Sequence, residues 1–324
     1  MKKVLVTGAA GFIGSHLVEF LVKCGYQVRS FVRYNSTNTW GWLDKISKSD
    51  SIEIFRGDLS EFDSVNNAVS GMDMVFHLGA LIGIPYSYVS PKAYLRTNVD
   101  GTYNILEASR IHGVKRVLIT STSEVYGTAE YVPIDEKHPL KPQSPYAASK
   151  IGADNLALSY FYSFNTPVTV VRPFNTYGPR QSARAVIPSI IIQLLSGNPE
   201  LKLGSLDPVR DFTYVEDTVS AMKTIAEHEE FIGKTVNVNA GEAVSIGELV
   251  GIISGILKIN PSIITDRTRI RPTNSEVRRL VGNSDFLRKC STWKPRLTLP
   301  SGLETTVKWF QDNANMYKSN IYNV

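Results

Sequence analysis

A tyrosine and a lysine four residues apart are the first candidates for chemistry in this sequence. Tyr146 and Lys150 lie at the start of a predicted helix, and a spacing of four places both side chains on one helix face. An ammonium group beside a phenol favours the phenolate, which would lower the pKa of Tyr146 and make it a useful general base. An exposed Tyr–Lys pair is also common on helices, so the pair needs support from neighbouring groups.

That support comes from three polar residues that follow an apolar stretch. Residues 115–120 predict a buried strand, and Thr122, Ser123 and Glu124 lie just beyond its carboxyl end. Open α/β sheets bind their ligands at this end of the strands. The predicted catalytic residues are therefore Thr122, Ser123, Glu124, Tyr146 and Lys150.

Three glycines near the N-terminus indicate a phosphate-binding turn. Residues 4–6 predict a buried parallel strand, and Gly8, Gly11 and Gly14 lead from it into a segment with helical periodicity. Gly8 suits a tight turn, Gly11 allows a pyrophosphate to approach closely, and Gly14 lets the helix lie against the strand. Because G-x-x-G-x-x-G is one residue wider than the G-x-G-x-x-G fingerprint, the prediction depends on this strand–turn–helix context.

Other strand ends complete the predicted dinucleotide site. The second predicted strand ends at Arg33, where dinucleotide folds normally have an acidic residue that binds the adenosine ribose. A cation there favours a 2′-phosphate, so we expect NADP with NAD as the alternative, although Arg33 could also be a plain surface residue. Asp58 ends the third strand, where it can meet the adenine amine. The full predicted cofactor set is Gly8, Gly11, Phe12, Ile13, Gly14, Arg33, Asp58, Leu59, Leu78, Ala80, Asn98, Tyr146, Lys150 and Pro173.

The composition is that of an ordinary globular protein. The chain has 324 residues, of which 43% are apolar and 20% are charged, and its formal net charge is +5. We expect no membrane partner, because no apolar run reaches membrane-spanning length and the N-terminus does not resemble a signal peptide. Scattered arginines without a basic, aromatic-rich run favour a small anionic ligand over nucleic acid. Cys24 and Cys290 lack metal-ligand spacing, which predicts a cytoplasmic protein without a metal site.

The alternation of strands and helices predicts an α/β fold. We expect a Rossmann-like, doubly wound parallel sheet with a smaller C-terminal α/β lobe that binds the substrate. The predicted domains are residues 1–172 and, mainly, residues 173–324, from which the chain can cross back to the first sheet.

Two local patterns make narrower predictions. His77 lies inside an apolar strand, so we expect it to be structural and not catalytic. Ser245 with Glu248, and Ser301 with Glu304, have the spacing of capping boxes and predict two helix starts.

Taken together, these motifs resemble the extended short-chain dehydrogenase/reductase family, and in particular its nucleotide-sugar epimerases and dehydratases. The resemblance covers nearly the whole chain and is carried by residues 7–14, 77–80, 146–150, 172–179 and 210–215. It implies a Rossmann domain that binds NAD or NADP, a smaller lobe over a nucleotide sugar, and a homodimer. The later part of the helix that carries the tyrosine and lysine, residues 156–164, is also apolar nearly all round, which favours a helix-on-helix homodimer, with a well-covered core helix as the alternative.

The resemblance implies roles for individual residues. Tyr146 would take the proton of the sugar 4′-hydroxyl, Lys150 would hold the nicotinamide ribose, and Thr122 would orient the 4′-oxygen. The residues expected to bind the nucleotide sugar are Asn175, Arg180, Arg210, Arg271 and Glu276.

Ser123 and Glu124 favour one reaction within the family. Epimerases have a similar stretch in which a small residue follows the serine or threonine pair. The 4,6-dehydratases have Thr-Asp-Glu or Thr-Ser-Glu at this place. Once C4′ is a ketone the C5′ proton is acidic and Glu124 can remove it, after which water leaves from C6′ and the hydride returns there. Ser123 replaces the aspartate that many sugar dehydratases use, which leaves either Glu124 or a bound water as the acid.

The leading hypothesis is a redox-neutral 4,6-dehydratase, a lyase that retains its cofactor through the cycle. Residues 32–33, 122–124 and 271–273 resemble GDP-mannose 4,6-dehydratase. Residues 35–44 are more similar to dehydratases that act on nucleotide-linked N-acetylglucosamine in the synthesis of legionaminic-acid-type sugars, so UDP- or GDP-N-acetylglucosamine is the expected substrate. The alternatives are a 4-epimerase or decarboxylase of the same family and a non-catalytic protein that senses NADP.

Overall fold

The structure, a computed structural model, describes residues 1–46 and 49–318. Its strands are β1 (Lys3–Thr7), β2 (Gln27–Arg33), β3 (Ile52–Gly57), β4 (Met74–His77), β5 (Arg116–Thr120), β6 (Val168–Pro173), β7 (Asn175–Tyr177), β8 (Glu200–Leu203), β9 (Val209–Tyr214), β10 (Thr235–Val238), β11 (Ala243–Ser245), β12 (Ser262–Thr265) and β13 (Arg279–Leu280). Its α-helices are α1 (Phe12–Lys23), α2 (Phe62–Val69), α3 (Ile84–Val89), α4 (Pro91–Tyr94), α5 (Gly101–Ile111), α6 (Pro145–Phe164), α7 (Val186–Leu195), α8 (Val215–Glu227), α9 (Ile246–Leu257), α10 (Asp285–Cys290) and α11 (Leu299–Asp312). None of the helices in these two ranges is both long and apolar enough to span a bilayer.

Seven parallel strands form the main sheet, in the order β10-β6-β5-β4-β1-β2-β3. The order reverses beside β1, as in a doubly wound fold, and every carboxyl end lies at the same edge. The strands are short apolar runs because both faces of the sheet are covered. The predicted Rossmann-like α/β fold is confirmed.

Helices cover the two faces of this sheet with separate cores. On one face, α1 and α8 pack through side chains such as Leu17, Leu21 and Met222. On the other face, α2, α5 and α6 contribute Val65, Ile105 and other buried side chains. This packing fixes the strand ends, and the loops that leave them, as a rigid platform.

The second lobe is built from a small sheet and three helices. In this sheet β9 lies between β11 and β13 and also pairs with β7, while β8 and β12 form a separate parallel pair. Helices α7, α9 and α11 pack around a common apolar core. The chain crosses back to the main sheet through β10, which pairs in parallel with β6. The division into residues 1–172 and 173–324 stays a prediction.

A π-helical stretch lies within the long helix that follows β4. Helix α4 continues without a break through a π-helical stretch (Leu95–Asp100) into α5, over the extent that the sequence predicts. Such π turns often occur at functional positions, because the extra residue redirects one side chain. Here the stretch contains Asn98, which is buried.

One of the two predicted capping boxes forms. The Ser245 side chain accepts a hydrogen bond from Glu248 N, and the Glu248 carboxylate accepts one from Ser245 N. The box predicted at Ser301 is wrong: α11 begins three residues earlier, with Thr298 as its N-cap. The proline at position 300 explains the earlier start, since proline suits the first turn of a helix.

Ser→Ala substitutions at the two predicted boxes can be compared, because Ser245 is a helix N-cap and Ser301 is not. We expect Ser245→Ala to lower the free energy of unfolding by about 1 kcal/mol, because it removes an N-cap. Ser301→Ala should cost less than half of that, because Ser301 already lies inside the helix. Urea denaturation of both variants measures the difference, and equal losses would contradict the assignment.

Candidate active site

The glycine turn after β1 leaves a helix N-terminus open for an anion. Gly8 has a φ of +68°, and a side chain there would come within 2.9 Å of Gly79 N. A Cβ on Gly14 would overlap the Gly8 carbonyl, so α1 lies directly on the turn. Helix α1 has Gly11 as its N-cap and no side chain caps it. Free N–H groups and the helix dipole therefore fit the pyrophosphate of a dinucleotide, as the sequence predicts.

A buried hydrogen-bond chain ties β1 to β4 behind this turn. Thr7 Oγ1 accepts hydrogen bonds from Leu78 N and Gly79 N, so its own proton is directed to His77 Nδ1, 2.8 Å away. The ring proton of His77 is thereby assigned to Nε2, which donates to Thr102 Oγ1. Burial lowers the pKa of His77 to about 3, so the ring is neutral. These contacts agree with the structural role expected for His77.

Asn98, predicted to bind the cofactor, makes its hydrogen bonds within the protein. Its Oδ1 accepts from Leu81 N, and its Nδ2 donates to Leu81 O and Ser149 Oγ. Ser149 in turn donates to the Tyr146 carbonyl. Asn98 thus fixes the loop after β4 to the first turns of α6, and a direct contact with the cofactor stays a prediction.

The ends of β2 and β3 form a basic recess. A cavity of about 210 Å³ is lined by Arg33, Arg56, Trp40 and polar residues of the loop after β2. Asp58 follows β3, and its pKa is lowered first by hydrogen bonds from Ser60 and further by the nearby Arg33. Sequence reasoning identified Arg33 and Asp58 but not Arg56, which lies inside β3 and had no motif to mark it.

Thr122 shapes the turn that presents Glu124. It is the N-cap of a short 3₁₀ turn (Ser123–Tyr126), and its Oγ1 accepts a hydrogen bond from Glu124 N. Thr122 also lies near Tyr146 and lowers the pKa of its phenol, whereas the charge of Glu124 raises it. The predicted group of Thr122, Glu124 and Tyr146 therefore meets at one point, with Ser123 buried beside it.

The expected lowering of the Tyr146 pKa is not found. Burial raises the pKa of Tyr146 well above the usual range for a phenol, and Glu124 and Tyr94 add to this, while Thr122 opposes it. Lys150 Nζ donates to the Thr120 carbonyl at 2.5 Å. The same burial lowers the pKa of Lys150 to about 8. The sequence correctly places Tyr146 and Lys150 near each other on one helix. It does not predict that burial makes the charged form of each group less favourable.

Arg210, Arg271 and Glu276 of the second lobe meet Glu124 of the first lobe in the cleft. Arg210 Nη2 donates to Glu276 Oε1 at 3.4 Å. Arg271 Nη1 lies 4.0 Å from Glu124 Oε1 and 3.8 Å from Glu276 Oε1, and it is buried without a hydrogen-bond partner. This unsatisfied donor faces Glu124 and Glu276, so the cleft can accept an anionic ligand at Arg271.

A strap from the second lobe holds these side chains over the first. Ser275 Oγ lies 2.6 Å from Tyr88 Oη of α3 and donates to the Gln143 carbonyl. Gln143 Nε2 donates to the Asn274 carbonyl. We name residues 270–278 the strap; it carries both Arg271 and Glu276.

Arg180 lies apart from this cleft cluster. Its guanidinium donates to Glu19 Oε2 at 2.7 Å and to Ser15 Oγ at 3.3 Å, both on α1. The contact joins α1 to the loop after β7, and a role of Arg180 in substrate binding stays a prediction. Asn175 begins β7, next to Phe212 of β9, and its predicted contact with substrate likewise stays open.

Sequence reasoning missed a buried ion pair beneath the site. Asp154, one helical turn after Lys150, pairs with Arg172 of β6 at 3.0 Å. The spacing of Tyr146, Lys150 and Asp154 on one helix face was a usable signal. Within the two described ranges there is no group of three or more histidine, cysteine, aspartate or glutamate side chains suited to hold a metal ion.

Comparison with known protein families identifies the chain. The model of the family described as GDP-mannose 4,6 dehydratase matches residues 5–306. The chain belongs to this family. A dTDP-glucose 4,6-dehydratase of Streptomyces griseus is 31% identical over 322 residues, covering 97% of this chain and 96% of that protein.

Solved structures of similar proteins include both dehydratases and epimerases. A dTDP-glucose 4,6-dehydratase of Streptomyces venezuelae, with NAD bound, has a TM-score of 0.89 at 27% identity, covering 98% of this chain and 99% of its own. A UDP-glucuronic acid 4-epimerase of Bacillus cereus, in complex with UDP-glucuronic acid and NAD, also has a TM-score of 0.89 at 27% identity, covering 96% and 99%. Membership of the 4,6-dehydratase family therefore leaves the choice between dehydration and epimerisation to the site itself.

Proposed function

We propose that this protein is a nucleotide-sugar 4,6-dehydratase that converts UDP- or GDP-N-acetylglucosamine to the 4-keto-6-deoxy sugar. The observation that carries the proposal is the position of Glu124. Its carboxylate lies within electrostatic range of both Tyr146 and Arg210, and 4.0 Å from Arg271. A carboxylate beside the base that works at C4′ is what proton removal from C5′ requires.

The side chains divide the reaction between them. The phenolate of Tyr146 accepts the 4′-hydroxyl proton, while Thr122 orients the 4′-oxygen. Lys150 and the turn at Gly8 would hold a nicotinamide cofactor, which would supply the redox chemistry, namely the removal of a hydride from C4′ and its return to C6′. Glu124 takes the C5′ proton as the C6′ hydroxyl leaves as water and later returns a proton to C5′. Either Glu124 or a bound water protonates the departing hydroxyl, and the proton that Tyr146 took from the 4′-hydroxyl replaces the one that this acid gives up, so that one water is lost overall.

The substrate assignment rests on sequence resemblance. Residues 35–44 resemble dehydratases of nucleotide-linked N-acetylglucosamine, whereas the similar proteins above act on dTDP-glucose or bind UDP-glucuronic acid. Arg210 and Arg271 suit a diphosphate, which all of these substrates share. The first experiment must therefore determine which nucleotide and which hexose the substrate contains.

Substitution of Glu124 separates the proposed reaction from its alternatives. With a panel of nucleotide sugars, we expect the wild-type protein to form a product lighter by one water, with no net change in nicotinamide absorbance. Glu124→Gln should lower the elimination rate by about 10² to 10⁴, because it removes the general base. Exchange of the C4′ hydrogen with the cofactor should persist in this variant, since Tyr146 is intact. Mass spectrometry measures both.

Glu130→Gln is the matched control, because Glu130 pairs with Lys141 at the surface, away from the cleft. A 4-epimerase or decarboxylase would form products without loss of water and would be little affected by Glu124→Gln. A protein that only senses NADP would turn over none of the panel. Either result would contradict the proposal.

We propose NADP as the preferred cofactor, with NAD as the alternative. The recess at the ends of β2 and β3 supports NADP, since Arg33 and Arg56 both line it and a 2′-phosphate is dianionic. The NAD bound to the similar solved proteins supports the alternative.

Calorimetric titration with each cofactor decides between them. We expect wild-type protein to bind NADP at least about tenfold more tightly than NAD, and Arg33→Ala to remove that difference while NAD binding is unchanged. Arg267→Ala, an exposed arginine of the second lobe, should alter neither affinity. If the wild-type protein binds NAD more tightly than NADP, the proposal of NADP as the preferred cofactor is wrong.

We also propose that the protein is a homodimer that acts in the cytoplasm. Support for the dimer comes from large apolar side chains exposed on adjacent helical segments: Leu95 and Tyr103 before and within α5, and Tyr162 and Phe164 on α6. Apolar patches of this kind mark protein interfaces. The free cysteines Cys24 and Cys290 agree with a reducing compartment.

Sedimentation velocity tests the dimer. We expect the wild type to sediment as a dimer and Tyr103→Glu to sediment as a folded monomer, because a charge would be buried in the interface. Ile263→Glu, at an exposed apolar position of β12, is the control and should leave the dimer intact. A wild-type monomer at micromolar concentration would refute the proposal.

A further inference from the structure

Three charged side chains lie buried beneath the candidate site. Lys150, Asp154 and Arg172 have 4%, 1% and 4% of their surfaces exposed. Buried charges are costly unless they are paired, so their arrangement needs a reason. Lys150 belongs to the proposed catalytic machinery, but the reaction described above gives no part to the other two.

The helix places Asp154 directly below the catalytic pair. Tyr146, Lys150 and Asp154 are spaced by four and then four residues on α6, so their side chains lie along one face. That face packs on β6 and on the turn after β5. Asp154 is therefore the innermost member of the row, on the side away from the cleft.

Asp154 is held by one of its two oxygens only. Its Oδ2 accepts hydrogen bonds from Arg172 Nε at 3.1 Å, from Arg172 Nη2 at 3.0 Å and from Ser121 Oγ at 2.8 Å. Arg172 is itself fixed, since Nη1 donates to Tyr126 Oη and the guanidinium lies 5.0 Å from the centre of that ring. The other oxygen, Oδ1, is buried without a hydrogen-bond partner.

A carboxylate with one unshared oxygen is a fixed source of negative potential. With Arg172 and Lys150 both cationic, the cluster carries one net positive charge, which the phenolate of Tyr146 would neutralise. Without Asp154 the same buried volume would hold two uncompensated cations. The lysine is the one that can lose its proton, because arginine does not titrate in this range.

We propose that Asp154, paired with Arg172, is a positioning residue that keeps the buried Lys150 ammonium charged beneath Tyr146. The inference rests on the proposed function in treating Tyr146 and Lys150 as the catalytic pair. Asp154 touches neither substrate nor cofactor in this assignment and acts only through Lys150.

The groups that face Lys150 support this direction. From β4 it faces His77, which is neutral, from β5 the Thr120 carbonyl, and from its own helix Tyr146 and Asp154. Burial lowers the pKa of Lys150 to about 8, and the charge of Asp154 opposes that fall. Burial raises the pKa of Asp154, while Arg172, Ser121 and Lys150 lower it. Asp154 also raises the pKa of Tyr146, but less than Glu124 and Tyr94 do.

Nuclear magnetic resonance of ¹³Cε-labelled lysine tests the proposal without any substrate. The Lys150 signal is assigned by its loss in Lys150→Met, and its pKa is measured in the wild type and in Asp154→Asn. We expect Asp154→Asn to lower the pKa of Lys150 by about one unit. In the active protein, the alkaline limb of the pH profile of kcat should move to lower pH by the same amount. An unchanged lysine pKa would overturn the proposal, whether or not the protein proves to be a dehydratase.

Two further variants separate charge from structure. Ser121→Ala removes a hydrogen bond to Asp154 without changing any charge, so the lysine pKa should stay within error of the wild-type value. Asp154→Asn combined with Arg172→Met removes the arginine that the single variant leaves unpaired, and it should lower the lysine pKa by less than Asp154→Asn alone, because the loss of a cation opposes the loss of the anion. Carboxyl ¹³C spectra of the wild type give a test that needs no variant: a protonated Asp154 at pH 7 would also overturn the proposal.

Discussion

The contact between the Gly8 carbonyl and the first turn of α1 determines where the other groups of the cleft can lie. Because Gly14 has no side chain, α1 starts directly over β1, and its free N–H groups face the edge where the parallel strands end. The Thr7–His77 contact then joins β1 to β4 at the same level. The strand ends are therefore at one height, and a long ligand can lie across them.

Burial is the second constraint, and it works against the chemistry as well as for it. The packing that orients Tyr146 and Lys150 also makes a phenolate and an ammonium harder to form. The charge of Asp154 offsets part of that cost for the Lys150 ammonium, while the same charge raises the pKa of Tyr146 further. Charged side chains therefore lie beneath the proposed reactive groups, as the Asp154–Arg172 pair, as well as around them.

Much of this was predictable because it depends on local spacing. The glycines, the strand ends and the Tyr146–Lys150 pair are each set by a few neighbouring residues, and so is the box at Ser245. What the sequence does not reveal depends on long-range contacts. Arg180 meets Glu19 across 161 positions, and Arg172 pairs with Asp154 from another element. The false box at Ser301 had the correct spacing, but the proline one residue earlier favoured a different helix start.

Four charged side chains of the cleft balance one another at close range. Arg210 and Arg271 are matched by Glu124 and Glu276, so these four side chains sum to zero charge. A balanced site exerts little long-distance pull on an approaching anion, and discrimination must take place at contact, through the direction of each guanidinium. An anion that enters this cleft would therefore meet two directed guanidinium groups at contact but no net charge from these four side chains.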